Sequence, residues 1–290
     1  MVNLFTEKFN SYNATNKDEY INALREMVQE IALYSLSNTN FFDKAAFCGG
    51  TSLRIFYYLD RASEDLDFSL IVQNQDFSLT PYLKILEGYF HDFGFSFEAV
   101  ENKNKSNVLS AFLKGGTIIN LISIGLPKEL TKGIRDTELL KIKIELDTNP
   151  PKNAEYEFKY GTFPFPYKVR IFNKETLFAG KLHAILCRDW NNNIKGRDYY
   201  DFAFYVRSKT KINFAQLEAA LKQSGHLDSK ETLTPELLKK MLLNKISSID
   251  FNIAKNDVIR FIKNPRSIEA WDNDLFKYIT IEYFKRNYNI

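Results

Sequence analysis

The 290-residue sequence holds only two cysteines, Cys48 and Cys187. That is too few for a disulfide framework and fits a reducing compartment. The three histidines, His91, His183 and His226, are scattered, and none pairs at a metal-ligand spacing. No Ser/His/Asp order or Cys/His pair stands out, so hydrolase chemistry of those kinds is not indicated. No stretch approaches the roughly 20 apolar residues of a membrane span. The opening MVNLFTEKFNSYNATNKDEY lacks the basic start, apolar run and small-residue cleavage site of a secretory leader. The expectation is a cytoplasmic protein with no membrane partner. Neither sign of charge dominates, since 39 Lys+Arg against 36 Asp+Glu leave a net +3. A local basic patch still fits inside such a near-neutral total.

Aromatic residues are what the sequence has in excess: 25 Phe, 16 Tyr and 2 Trp, or 15%. Many large rings must fill an interior or line a cleft, although sequence alone assigns none of them to base stacking. Apolar (44%) and charged (26%) fractions are those of an ordinary globular chain. The length allows one large domain or two modest ones.

Along the chain, Tyr20, Leu24, Val28 and Ile31 recur at spacings of four, four and three, which predicts a helix over residues 17–37. The apolar AAFC then meets Gly49-Gly50, and TSLRIFYYL resumes helical spacing. In RASEDLDFSLIV, the apolar Leu66, Phe68 and Leu70 alternate with Asp65, Asp67 and Ser69, which predicts a strand. Residues 80–93 read as a helix. SFEAV, NVLSAFL, TIINLISI and LLKIKIEL follow as strand candidates, with a hairpin turn expected at Gly115-Gly116. EYEFKYGTFPFPYKVRIF reads as a looser, proline-bearing exit. From Asn173 onward the segments read as helices in short polar loops. The expected fold class is α+β: a mixed sheet with flanking helices over residues 1–170, then a helical lobe over 171–290 that contributes Lys and Asp to an active-site cleft.

Asp65 and Asp67 point to one side of a strand. Two adjacent carboxylates repel unless a cation sits between them, and hard oxygen donors suit Mg²⁺. The plainer alternative is a pair of solvated acids on an exposed strand face. Upstream, Gly49-Gly50 opens a helix whose first residues are Thr51 and Ser52, an arrangement suited to phosphate or to a simple turn with a cap. A phosphate-binding turn, a helix and then a strand bearing two acids point to metal-assisted nucleotide chemistry. Glu145 is the candidate third carboxylate, with Asp147 competing for the role. Lys181 lies on the apolar face of TLFAGKLHAIL, where a buried ammonium needs a partner such as a triphosphate, or snorkels to water. Asp198 and Asp201 in GRDYYDF stand one helical turn apart. Lys239, Lys240 and Lys245 form a basic group in the helical lobe that reads first as a solvated helix face.

GGTSLRIFYYLDRASEDLDFSL (49–70), KIEL (143–146), ETLFAGKLHAIL (175–186) and GRDYYDF (196–202) together resemble the AbiEii/AbiGii family of nucleotidyltransferase-like toxins, MenT-type enzymes included. The resemblance implies a fold of the DNA polymerase β superfamily and Mg²⁺-dependent (or Mn²⁺-dependent) transfer of a nucleoside monophosphate from an NTP to an acceptor hydroxyl. By the match, Gly49, Gly50, Thr51 and Ser52 would sit at the triphosphate, and Arg61 and Ser63 would flank the metal site. Asp65 and Asp67 would hold the metals, Lys181 would contact phosphate, and Asp198 and Asp201 would complete the cleft. A tRNA acceptor, a cognate antitoxin and a role in type IV-like abortive infection and phage defence are implied on the same ground. Transfer to a protein or small molecule, and a non-catalytic nucleotide-binding module, are the competing readings.

Overall fold

The computed structural model describes residues 2–102, 106–188 and 194–290. These fall into two compact units. One comprises residues 1–58, 62–150 and 157–171, and the other residues 59–61, 151–156 and 172–290.

The first unit is built on a seven-stranded mixed sheet. Its strands are β1 (Ala45–Cys48), β2 (Leu66–Leu70), β3 (Glu98–Asn102), β4 (Val108–Gly116), β5 (Leu139–Asp147), β6 (Tyr156–Gly161) and β7 (Tyr167–Phe172). Their spatial order is β3-β4-β5-β2-β1-β7-β6, which puts the acid-bearing β2 at the centre. β2 runs antiparallel to β1 and parallel to β5. Phe47, Leu66, Phe68, Ile144 and Leu146 lie on one buried face. The helix Lys17–Ser37 contributes Leu24, Met27, Val28 and Ile31 to the same core, all with no exposed surface. Its start is fixed by the Asn16 side chain, which accepts from the Glu19 N–H, a cap worth about 1 kcal/mol.

Three local expectations fail here. Residues Thr117–Ser123 form a helix, not a strand. The buried Asn120 decides it: its amide accepts from the Ser96 N–H (2.9 Å) and donates to the Gly116 carbonyl (2.8 Å). Gly115 and Gly116 are no hairpin turn. They are the last rungs of β4, opposite Leu140 and Leu139, and a Cβ on Gly115 would stand 2.3 Å from the Ser96 carbonyl oxygen. The supposedly loose segment 155–172 forms β6 and β7 on either side of a cis Phe163–Pro164 bond.

The second unit packs the helices Lys174–Cys187, Gly196–Arg207, Phe214–Gln223, Pro235–Ser247, Phe251–Val258 and Asn273–Tyr288. NDVIRFI was expected to be helical throughout, but the helix reaches only Val258 and ends in a 3₁₀ turn, Ile259–Phe261. Stacked rings fill this core: Phe178 on Tyr205 at 4.4 Å and Phe251 on Phe276 at 4.5 Å between centroids. Here the aromatic excess serves packing.

Candidate active site

β1 ends at Cys48 and the chain turns at once into the helix Gly49–Tyr57. Gly49 has φ +73°, and a Cβ there would fall 2.0 Å from Asp67 Oδ2. Only glycine both adopts that backbone and lets the helix start close on the carboxylate. Cys48, at the N-cap position, makes no side-chain capping bond to this helix start. Thr51 and Ser52, read from the sequence as suited to phosphate or to a capped turn, are buried in the turn. Thr51 Oγ1 donates to the Asp65 carbonyl, and Ser52 Oγ donates to the Gly49 carbonyl at 2.8 Å. Phosphate recognition at this start would therefore fall to main-chain N–H groups.

Asp65 lies one residue ahead of β2 rather than within it, held there by the bond from Thr51. Asp67 sits in the strand, opposite Cys48 on one side and Glu145 on the other. Asp147 is opposite Ser69, one step further along the same face. Strand register thus places Glu145 beside Asp67, which spacing alone could not decide. Lys143 Nζ is 2.6 Å from Glu145 Oε1. The carboxylates are close enough to act on the Cys48 thiol. Burial first, then Asp67, Asp147 and Glu145, push its pKa well up. Burial also raises Asp147, against the opposing N–H of Asn149. The Ser63 carbonyl accepts from the buried Gln29 amide at 3.2 Å.

Among the described residues no three His, Cys, Asp or Glu side chains form a ready-made metal cage. The donor chemistry still fits Mg²⁺, which is commonly held by one or two carboxylates plus substrate phosphates and water rather than by an all-protein shell. Asp65 and Asp67 can supply that share.

The remaining expected residues meet in the second unit, in an alternating ionic chain. Arg61 grips Asp201 with two bonds of 2.7 Å, both side chains being almost wholly buried. Lys181 Nζ lies 2.9 Å from Asp201 Oδ2 and 2.6 Å from Asp198 Oδ1. Arg188 closes the chain on Asp198 Oδ2 at 2.9 Å. Burial would lower the Arg61 and Lys181 pKa values, but the facing carboxylates override it and raise both. Burial would raise Asp201, yet Arg61 and Lys181 hold it below the usual carboxylate range. Arg61, expected beside the metal site, thus has its guanidinium engaged with Asp201. Arg188 was not anticipated; it lies seven residues after Lys181, just past the end of the Lys174–Cys187 helix. Lys245 Nζ donates to the Arg188 carbonyl at 3.0 Å.

A family profile described as "Nucleotidyl transferase AbiEii toxin, Type IV TA system" matches residues 31–275. Among solved structures, MenT4, a nucleotidyltransferase toxin of Mycobacterium tuberculosis, aligns with a TM-score of 0.56 at 14% identity, covering 98% of this chain and 88% of its own. JHP933 of Helicobacter pylori aligns with a TM-score of 0.44 at 18% identity, over 89% and 87%. Against curated protein sequences nothing matches significantly. At such identities the structural likeness speaks for the fold alone. The profile spans most of the chain, including the glycine turn, Asp65, Asp67, Glu145 and the Lys181 network. This chain therefore belongs to the AbiEii family of nucleotidyltransferase toxins of type IV toxin–antitoxin systems.

Proposed function

We propose that the protein transfers a nucleoside monophosphate from an NTP to a hydroxyl of tRNA in a reaction dependent on Mg²⁺ or Mn²⁺. The observation that supports this best is the seat of Asp67, packed on the glycine-opened helix start and flanked in register by Glu145. Asp65 and Asp67 would hold the divalent ion. Bound there, the ion would neutralise triphosphate charge and favour ionisation of the attacking hydroxyl. The main-chain N–H groups at the start of the Gly49–Tyr57 helix would receive phosphate oxygens. Glu145 would accept the acceptor's proton. The acceptor oxygen bonds to the α-phosphorus as the bond to pyrophosphate breaks. Arg61, Asp198 and Asp201 act at one remove, by ordering the helical unit, and Lys181 is the cation there with a phosphate role in this reading. A cytoplasmic setting, a part in phage defence and control by a cognate antitoxin complete the proposal.

The test is incubation with each α-labelled NTP, divalent metal and total tRNA. Label should enter tRNA with the wild type and vanish in Asp67→Asn or on chelation. Label in protein instead would favour a protein acceptor. NTP binding without pyrophosphate release would favour a non-catalytic module.

A further inference from the structure

β7 pairs with β1 through Phe47 opposite Ile171, so Ile171 shares the helix-packed face with Phe47. The alternate β7 residues Lys168 and Arg170 then take the other face, which carries Cys48, Asp67 and Glu145. On the neighbouring β6, Phe158 lies against these two cations. Lys168 Nζ stands 3.9 Å from its ring centroid and Arg170 Cζ 5.3 Å. Tyr160, two residues on, points the same way. Phe158 is 48% exposed and Tyr160 71%.

Folding does not account for this patch. Rings that exposed contribute little to a core, and on an edge strand they invite unwanted pairing. Nor is the charge balanced locally. Among the described residues no carboxylate lies within ion-pair distance of Lys168. The nearby Glu157 pairs with Lys159 at 3.3 Å, and both alternate to the opposite side of β6. Arg170 donates to the Asp43 carbonyl, 3.3 Å away. Exposed π faces beside uncompensated cations match a ligand with flat bases and a chain of phosphates.

We propose that Phe158, Tyr160, Lys168 and Arg170 form a stacking platform for a single-stranded segment of the acceptor RNA, an inference that rests on the reading of RNA as acceptor. β6 lies three strand spacings from β2, or roughly 14 Å, so a short single strand held on the platform can continue along the same sheet face to Asp67.

The test is fluorescence anisotropy of the full chain with a short labelled single-stranded RNA and with the corresponding duplex. The single strand should bind more tightly than the duplex. The Phe158→Ser/Tyr160→Ser double variant should bind it at least about tenfold more weakly. Lys168→Gln should reduce the slope of log K against log salt by about 0.7. Circular dichroism checks the fold of each variant, and the conservative Phe158→Tyr should retain binding if the ring is what matters. Undiminished binding by the folded double variant with an unchanged Lys168→Gln slope overturns the platform. So does conversion of a wild-type dimer to a monomer without loss of RNA affinity, which would make the patch a protein interface. If Asp67-dependent pyrophosphate release persists while no single strand binds, the platform falls and the transferase reading stands. If RNA binds through the rings yet is never labelled, the tRNA acceptor falls and the platform stands.

Discussion

Asp201 accepts from both Arg61 and Lys181, whereas Lys181 bridges two carboxylates that each keep another cation. This asymmetry ranks two substitutions. Asp201→Asn leaves the buried Arg61 guanidinium without its facing charge and should cost about 3–5 kcal/mol. Lys181→Met leaves Asp198 with Arg188 and Asp201 with Arg61, so it should cost clearly less. Chemical denaturation of the two variants checks the order. The pH dependence has a definite sign. Asp201 is lowered in the fold, so its stabilisation is present above the ordinary aspartate range and is lost as pH falls through its depressed value. Lys181 is raised, so its contribution is present below the ordinary lysine range and is lost as pH rises through the elevated value. Thermal melts across pH should show an acid limb attributable to Asp201 that is reduced in Asp201→Asn.

Among the elements, the helix Gly49–Tyr57 and the helix Lys174–Cys187 treat glycine oppositely. At Gly49 the positive φ and the Asp67 carboxylate leave no room for a methyl group. Gly49→Ala should displace Asp67 and lower nucleotidyl transfer by about 10²-fold or more. Gly180 sits inside a helix with open space where a Cβ would go, so Gly180→Ala should stabilise by about 1 kcal/mol. Activity assays and melting temperatures separate the two. The same elements show what the sequence could convey. The helix at 17–37 and β2 carry their periods openly, because each is amphipathic by itself, and β1 and the glycine turn show as a short apolar run broken by Gly49-Gly50. The helix at 117–123 does not. Its β-branched residues suggest a strand, and what makes it a helix is Asn120 reaching Ser96 in another segment. β6 and β7 are hidden in the same way, since proline and aromatics obscure an alternation that only the finished sheet displays. Glu145 was legible as a candidate. Its adjacency to Asp67 was not, because register across parallel strands leaves no trace in either strand alone.

At the scale of the molecule, neither unit is one continuous stretch of chain. Residues 59–61 and 151–156 belong with the helical unit. Composition marks where strands give way to helices near residue 170 but carries no sign of the short excursion at Arg61, which an ion pair with a residue far along the chain defines. A fragment of residues 172–290 lacks Arg61 and leaves Asp201 with Lys181 as its remaining cation from the network. Expressed alone, it should melt at a lower temperature and with less cooperativity than the helical unit in the intact protein, as followed by calorimetry. The near-neutral total charge likewise conceals local structure. Carboxylates gather at the centre of the sheet, while Lys168 and Arg170 occupy strand β7 near its edge.

The pair between Arg61 and Asp201 also has a consequence in time. The two residues are 140 positions apart in the chain. At about 5–20 residues per second of synthesis, roughly 7–28 s separate the moments when the ribosome adds them. During that interval the Arg61 guanidinium lacks the Asp201 carboxylate that grips it in the finished fold. A nascent chain halted before the Gly196–Arg207 helix is made cannot form this ion pair, so the grip of Asp201 on Arg61 is one of the later events in the making of the protein.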